Sequence, residues 1–493
     1  VQNSLLFLQM LYNTSEFYEA YYIIRTTKES KKSMVQDLTS GKPLKQIMKF
    51  TLPIFIGNVF QQLYSMVDTI IVGNTLGEAA LAGVGATSAI SFLIIGFVQG
   101  MTAGFSVKTS QYFGSHDEYN VKRSVATSFM LCAVTTVILT LISVFTTMPL
   151  LKLMKTPDEI IQYSYDYIVI IYAGLFATVF YNMVSSILRA LGDSKVPLLF
   201  LIMASVINVG VDLLFIVVFK MGVAGAGWAT VLSQLLSAIA CLIYMFKKYD
   251  ILKIKKEHFK TSWRFCYQHL AIGLPMALQY SIIAIGIMVQ QSAVNILGTR
   301  YVSAYTAATK IDTLVTQSLV AMGAAIATYV GQNYGALRYD RIKKGVDQAM
   351  TISIAFAVLC GIAVYFGSDL MTGLFVENAD AEMLALSKKF LMWQGIFYIC
   401  LAVIYVYRNA LQGMGHSALT MFAGLTELSM RIFASLLLAH IFGYMGICLS
   451  NQCAWIGADI FLLTSYYIVI GKKLQKSKVG NLVTVNRKSF AHS

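Results

Sequence analysis

This sequence of 493 residues is poor in charge, because Asp, Glu, Lys and Arg together make up only 13% of it. That is about half the share found in soluble globular domains. Apolar residues make up 57% of the chain, which excludes a disordered protein. So little charge cannot cover a water-facing surface, whereas the apolar residues suffice for about a dozen membrane-spanning helices of about 20 residues each. We therefore predict an all-α polytopic membrane protein.

Motifs for catalysis and metal binding are also lacking. The seven cysteines form no Cys-x-x-Cys pair, which argues against a disulfide framework and a zinc site. No GxxxxGK[ST], HExxH or GxSxG sequence occurs, so nothing indicates a P-loop ATPase, a zinc protease or a hydrolase of that type. We predict that the protein is not an enzyme and that it has no cofactor, no bound structural metal and no nucleic-acid partner.

Twelve apolar runs bounded by charged residues or glycine predict twelve membrane-spanning helices. They lie at about 51–73, 83–107, 125–148, 161–182, 196–218, 223–246, 270–296, 302–330, 346–368, 385–411, 417–440 and 446–470. Lys and Arg are concentrated in the amino-terminal segment, in every second connection (such as Arg189 and Lys195 after span 4) and in the tail. The positive-inside rule then places both termini in the cytoplasm of a multi-pass protein of the cell membrane.

The two halves of the chain share motifs that are shifted by 221 to 223 positions. These motifs are Leu52-Pro53 with Leu274-Pro275, Gln111–Gly114 with Gln332–Gly335, and Leu188–Gly192 with Leu411–Gly415. A nearly constant shift indicates duplication of a six-helix unit, and because six is even, both copies have the same orientation. We predict two six-helix bundles, related by an internal parallel repeat, around a cleft near the middle of the membrane.

This repeat divides the chain into five predicted segments. They are a cytoplasmic amino-terminal segment 1–50, an N-lobe 51–246 with helices 1–6, a basic cytoplasmic linker 247–269, a C-lobe 270–470 with helices 7–12, and a cytoplasmic tail 471–493. Residues 1–33 differ in composition from the rest, and we interpret them as an extension before a natural start at Met34.

Two acidic residues within the predicted spans have no basic partner in their own span. They are Asp68 in span 1 and Asp212 in span 5, and Asn208 precedes Asp212 by one helical turn. Charged groups inside a membrane are costly and usually mark function or a buried pair. Two carboxylates with amide and hydroxyl oxygens nearby are able to take up a proton or a small cation such as Na⁺. The matching positions of the second half carry no carboxylate, so we predict the cation chemistry in the first half.

The remaining intramembrane charges are predicted to form structural ion pairs. Glu427 and Arg431 are four residues apart and therefore share one helix face. Lys310 and Asp312 are two apart and cannot share a face, so either one is expected to pair with Asp459 across helices.

Several motifs, taken in order, make this sequence similar to the multidrug and toxic compound extrusion (MATE) family, of the bacterial or archaeal kind. They are QQLYSMVDTIIVGNTLG at 61–77, QYFG at 111–114, RALGDS at 189–194, GVAGAGWATVLSQ at 222–234, QNYG at 332–335 and QGMGHS at 412–417. The similarity covers about residues 40–475.

The resemblance implies a transporter that exchanges H⁺ or Na⁺ for cationic amphipathic drugs. Family members with a cation site in the amino lobe have a bending proline in the first helix, which matches Pro53. Their cation-coupling residues match Asp68, Asn208, Asp212 and Thr230, and a tyrosine of the fourth helix matches Tyr167 by spacing alone. The carboxyl-lobe cation site of other members is not transferred, since spans 7 and 10 lack acidic residues.

We therefore predict a secondary active multidrug exporter that works by alternating access. Its expected partners are drug-like cations and the lipid bilayer, it is expected to act as a monomer, and its coupling ion is H⁺ or Na⁺. One alternative is a lipid-linked oligosaccharide flippase of the same superfamily, whose phosphate-bearing substrate calls for a more cationic cavity. Another is a polytopic membrane enzyme, which requires a reactive cluster at a membrane face.

Overall fold

The structure is a computed structural model that describes residues 36–154, 156–373 and 381–490, with side chains up to residue 477. Within these ranges the regular secondary structure is helical and contains no β-strand, which confirms the all-α prediction. The predicted extension 1–33 lies outside the described residues.

Fourteen α-helices make up the described part of the chain. They are α1 Pro43–Leu76, α2 Glu78–Ala86, α3 Ser88–Gly114, α4 Glu118–Leu153, α5 Asp158–Ala173, α6 Leu175–Ala190, α7 Lys195–Asp212, α8 Val223–Lys248, α9 Trp263–Ile296, α10 Thr299–Gly335, α11 Tyr339–Gly373, α12 Ala381–Gly413, α13 Ser417–Phe442 and α14 Tyr444–Phe490. A π-helical segment Leu213–Val218 continues α7, and two 3₁₀ turns, Asp250–Leu252 and Lys256–Phe259, follow α8.

The number of spans depends on how two unusual segments are counted. Ten of the described helices are long and apolar enough to cross a membrane, and an eleventh span results if α5 and α6, which meet at a 50° bend, form one broken span. The 34-residue α1 occupies the position of the first predicted span but is not among them. Its middle turns carry Asn58, Gln61 and Asp68, which lower its hydropathy.

The duplication predicted from the sequence recurs in the backbone. Positive φ angles are uncommon outside glycine, and eight of the ten among the described residues fall in four matched pairs. These are His116 and Leu337 (both 58°), Gly192 and Gly415 (both 84°), Gly222 and Gly443 (64° and 58°), and Gly77 and Gly298 (86° and 103°). Each pair is separated by 221 to 223 residues, as in the sequence motifs. The two halves therefore turn their chain at equivalent places, and we call α1–α8 the N-lobe and α9–α14 the C-lobe.

The first helix of each lobe begins earlier than its predicted span, which shortens the segments outside the bundle. Pro43 is the first residue of α1, a position where the missing N–H of proline costs nothing. Helix α9 begins at Trp263 after Ser262, whose hydroxyl accepts a hydrogen bond from the Phe265 N–H at 3.4 Å. The polar connection after α8 thus ends before residue 263, not at residue 269.

The lobes contact each other at the ends of the helices where α1 and α9 begin, which we call the basic face. Ile47 and Phe50 of α1 pack in one apolar cluster with Tyr329 and Ile342 of the C-lobe. The start of α9 makes the equivalent contact with the N-lobe, where the buried His269 forms a hydrogen bond with the Ser124 hydroxyl at 2.8 Å. Each lobe therefore inserts the start of its first helix into the other lobe.

Candidate functional site

The predicted acidic residues of the N-lobe are brought together by the fold. Asp68 lies in the last third of α1 and is 9% exposed, and Asp212 is the last residue of α7 and is fully buried. Their carboxyl groups are within hydrogen-bonding reach of each other. The Oδ1 atoms of both residues are buried and have no hydrogen-bond partner in the described part of the chain. We call these two residues the acid pair.

Asn208 and Thr230 complete the site on the side of α7 and α8. With the Asn208 amide oriented to satisfy its neighbours, its Nδ2 donates to Asp212 Oδ2 at 2.9 Å and its Oδ1 accepts from the Thr230 N–H at 3.3 Å. Carboxylate, amide and hydroxyl groups thus converge on a buried point, with the amide nitrogen of Asn208 facing Asp212.

The local sequence explains how these helices come so close. Directly after Asp212 the chain widens into the π-helical segment Leu213–Val218, a feature often found at functional sites. The glycine-rich start of α8 packs against it, since a Cβ at Gly225 would lie 3.2 Å from Phe215. A Cβ at Gly227 would lie 3.2 Å from the carbonyl oxygen of Tyr167. Small residues in GVAGAG therefore permit the approach that brings Thr230 to Asn208.

Two tyrosines border the acid pair. Tyr167 of α5 lies near Asp68, and it packs beside the apolar cluster that contains Val72 and Ile216. Tyr64, one helical turn before Asp68 in α1, has its hydroxyl within hydrogen-bonding reach of Thr230. Tyr64 is not among the site residues predicted from the sequence. Its spacing of four residues from Asp68 indicates a shared helix face and could have identified it.

A cavity of about 200 Å³ lies in the N-lobe beside the acid pair, between α1, α3, α6, α7 and α8. Its polar lining includes Asn58, Gln61, Tyr64, Gln99, Asn182 and Gln234. Pro53 also lines it and lies within the continuous α1, where proline removes one backbone hydrogen bond of the helix. Tyr64 is shared by the cavity and the surroundings of the acid pair, so the two are adjacent.

The C-lobe contains a buried ion network. Glu427 accepts from Arg431 at 3.0 Å, which is the pair expected from the sequence. It also accepts from Arg408 of α12 at 2.7 Å, and all three side chains are less than a tenth exposed. The contribution of Arg408 was not predicted from the sequence, because this contact joins α12 to α13.

The ion pairing predicted for Lys310, Asp312 and Asp459 is not found in the described structure. Asp312 accepts a hydrogen bond from the Tyr398 hydroxyl at 2.9 Å, Lys310 is exposed, and Asp459 lies beside the Cys400 thiol. None of the ion pairs found in the described ranges joins any two of the three. The partner of Asp312 is therefore a tyrosine hydroxyl and not a charged side chain.

Comparisons with known proteins agree with the repeated fold. Residues 53–214 and 275–437 each match the family described as MatE. A "Probable multidrug resistance protein YpnP" of Bacillus subtilis (strain 168) is 31% identical over 77% of this chain and 84% of its own length. A "Probable multidrug resistance protein NorM" of Thermotoga maritima is 23% identical over 76% of this chain and 80% of its own.

Solved structures share the fold over nearly the whole described chain. An outward-facing conformation of a multidrug resistance MATE family transporter of the MOP superfamily superimposes with a TM-score of 0.83 at 23% identity, covering 91% of this chain and all of that one. A MOP superfamily transporter from Pyrococcus furiosus gives the same TM-score and identity over 90% of this chain and 99% of its own.

Proposed function

This chain belongs to the MATE (multidrug and toxic compound extrusion) family of transporters, and we propose that it is a secondary active multidrug exporter. It exchanges cationic amphipathic compounds for H⁺ or Na⁺ across the cell membrane, as a monomer with both termini in the cytoplasm. The observation that carries this proposal is the acid pair, two buried carboxyl groups within hydrogen-bonding reach of each other and without a basic partner in the described residues.

The geometry of the acid pair supports ion coupling. An ionised carboxylate only accepts hydrogen bonds, so Asp68 and Asp212 need a proton between them when their carboxyl groups meet. If that proton leaves, like charges remain close together in a buried site, and the two must separate or bind another cation. Na⁺ is the alternative, because carboxylate, amide and hydroxyl oxygens are ligands suited to hard cations. The Thr230 hydroxyl supplies a neutral oxygen, and the Asn208 amide supplies another if it turns its oxygen toward Asp212 when the ion binds.

Ion binding at this site acts on the helix that joins the lobes. Asp68 lies in α1, the start of which packs into the C-lobe through Ile47 and Phe50. A change in charge at Asp68 therefore alters the position of a helix that spans the contact between the lobes. The lobes meet at the basic face, so with the termini in the cytoplasm this contact closes the transporter on its cytoplasmic side. The ion drives transport because its affinity differs between this state and the opposite one.

The available driving energy is modest but sufficient for coupling. One elementary charge moving down a potential of 100 mV supplies about 2.3 kcal/mol, to which the concentration gradient of the ion adds. A site that binds the ion and the drug in turn converts this energy into accumulation of drug outside the cell.

The test is ethidium efflux from proteoliposomes with a pH gradient or a Na⁺ gradient imposed separately. We expect one gradient to drive efflux by the unaltered protein, and we expect Asp212→Asn to abolish it. Asp250→Asn is the matched control, because Asp250 is an exposed carboxylate in the connection after α8 that pairs with Lys253. Unchanged efflux by the Asp212→Asn variant would overturn the proposal. So would a lack of efflux by correctly folded unaltered protein under both gradients.

A further inference from the structure

The N-lobe cavity contains a fixed positive charge. Among the described residues that line it, Arg189 is the one with a formal charge, and the polar side chains around it are neutral amides and hydroxyls. The sequence places Arg189 in a connection after span 4, but α6 continues to Ala190. Arg189 is therefore a residue of the helix and faces the cavity.

The guanidinium group of Arg189 has N–H donors without a hydrogen-bond partner among the described residues. Its side-chain hydrogen bond in the described structure goes to the Ser186 hydroxyl at 3.0 Å, and no carboxylate of the described residues forms an ion pair with it. Arginine carries five N–H donors in a planar fork. By contrast, Arg408 and Arg431 of the C-lobe both bind Glu427. A half-buried arginine without an acidic partner is costly and is suited to an anionic group from outside the protein.

The direction of the side chain places the charge inside the cavity. Helical side chains point toward the amino-terminal end of their helix, and the bond from Arg189 to Ser186, one turn earlier, agrees with this. Thr178, which also lines the cavity, is eight residues before Ser186, or about 12 Å along the helix. Thr178 donates to Gln234 at 2.6 Å. Gln234 lies one helical turn after Thr230, the residue that the Tyr64 hydroxyl reaches, so Tyr64 and Arg189 line different ends of the cavity.

We propose that Arg189 binds the carboxylate of zwitterionic amphipathic substrates and makes the N-lobe cavity selective for them over simple monocations. The guanidinium fork matches the two oxygens of a carboxylate. The amino group of such a substrate lies toward Tyr64, next to the acid pair, which becomes negative when its proton leaves. This inference rests on the proposed function and assigns a substrate class to the same transporter.

The experiment compares two dyes that differ in one group. Rhodamine 110 has a free carboxylate, and rhodamine 123 is its methyl ester. Binding of each dye to purified protein in nanodiscs is measured by fluorescence anisotropy, and efflux is measured in proteoliposomes. The variants are Arg189→Gln, Arg189→Lys and, as a matched control, Lys195→Gln. Lys195 is an exposed basic residue of the same lobe that does not line the cavity.

We expect the unaltered protein to bind rhodamine 110 more tightly than rhodamine 123. Arg189→Gln should weaken rhodamine 110 by roughly tenfold or more, which is the scale of charge-assisted hydrogen bonds, and leave rhodamine 123 unchanged. Arg189→Lys should have an intermediate affinity for rhodamine 110, and Lys195→Gln should alter the binding of neither dye. If Arg189→Gln does not fold, the inference is tested by the preference for rhodamine 110 over rhodamine 123, measured for the unaltered protein and for Arg189→Lys.

Two results would overturn the inference. One is tighter binding of rhodamine 123, the ester, by the unaltered protein. The other is an equal loss of binding of both dyes in the Arg189 variants, which would indicate a structural role of Arg189. Efflux of rhodamine 123 and ethidium without recognition of rhodamine 110 refutes this inference alone. Absence of efflux of every dye contradicts the proposed function itself.

Discussion

Gln111 and Gln332 occupy matching positions of the two lobes, and each donates its side-chain amide to the other lobe. Gln111 Nε2 donates to the carbonyl oxygen of Gly413 at 3.0 Å, and Gln332 Nε2 donates to that of Ala190 at 2.9 Å. The two acceptors are themselves equivalent, since both lie at the end of a matching helix, α6 and α12. This pair of bonds, which we call the glutamine clasp, joins the lobes symmetrically at the basic face.

The surroundings of the glutamine clasp are tightly packed. A Cβ at Gly114 would collide with the carbonyl oxygen of Gln332, and one at Gly335 would collide with that of Gln111. Gln332 Oε1 also accepts from the buried Leu38 N–H at 2.9 Å. The QxxG motifs therefore combine an amide that crosses between lobes with a glycine that lets the helix ends touch.

Replacing the clasp should loosen the basic face. We expect Gln111→Leu and Gln332→Leu each to remove one hydrogen bond between the lobes, worth about 1 kcal/mol, and to speed local amide exchange in residues 105–116 and 326–337 at least fivefold. Gln332→Leu also removes the acceptor of the Leu38 N–H, so its effect should be the larger of the two. The measurement is hydrogen exchange by mass spectrometry of the protein in nanodiscs. Gln162→Leu is the control, because Gln162 is exposed and its side-chain hydrogen bond among the described residues goes to Asp166, within α5. Unchanged exchange in both clasp variants would contradict a role in closing this face.

The hydroxyl of Tyr64 should contribute to ion coupling. Tyr64→Phe keeps the ring but removes the group that reaches Thr230, so Thr230 loses a partner within the cation site. We expect gradient-driven ethidium efflux to fall roughly five- to tenfold, in line with one buried hydrogen bond. Tyr163→Phe, an exposed tyrosine of α5, serves as the control. Equal efflux by Tyr64→Phe and the unaltered protein would exclude Tyr64 from the site.

The buried ion network of the C-lobe should be sensitive to the loss of its acid. Glu427→Gln leaves Arg408 and Arg431 without a negative partner, and removal of one member of a buried pair costs about 3–5 kcal/mol. We expect a clear fall in the free energy of unfolding, measured by denaturant titration in mixed micelles. Glu382→Gln removes an exposed partner of Arg300 and should cost less than about 1 kcal/mol. Comparable effects of the two substitutions would show that the network is not needed for stability.

His416, in the connection between α12 and α13, should make stability depend on pH. Burial, reinforced by the positive charge of Lys473, lowers the pKa of His416 below its usual value, and its Nε2 is buried without a partner in the described residues. The unfolded chain, with a pKa near 6.5, therefore binds the proton first as pH falls. The contribution of neutral His416 to stability is present above about pH 6.5 and is lost as pH decreases below that value.

This dependence is checked by thermal unfolding between pH 5 and 8. We expect His416→Asn to flatten the decline of the melting temperature on acidification. His116→Asn, at an exposed turn with a positive φ of 58°, should leave that decline as it is. A decline of the same steepness in the His416→Asn variant would assign the pH sensitivity to other groups.

Much of the architecture was predictable from the sequence. Low charge and long apolar runs indicate a helical membrane protein because a bilayer accepts only backbones with satisfied hydrogen bonds. The internal shift of 221 to 223 residues predicted the duplicated lobes, which the matching φ angles confirm. The resemblance to the MATE family is confirmed by the family match. The roles of Asp68, Asn208, Asp212 and Thr230 in coupling, and of Pro53 in bending α1, stay predictions, although the first four residues do lie together.

The apolar spans, the repeat and the candidate acids follow from the amino-acid sequence alone, because they depend on composition and on spacing along one helix. Which side chains from distant helices meet depends on the tertiary structure. It placed Arg408 against Glu427, the Tyr64 hydroxyl near Thr230 and the amide of Gln332 against Ala190. It also placed Arg189 in a cavity rather than in a loop. Contacts of this kind arise from the packing of helices that are far apart in the chain, and no local pattern of residues encodes them.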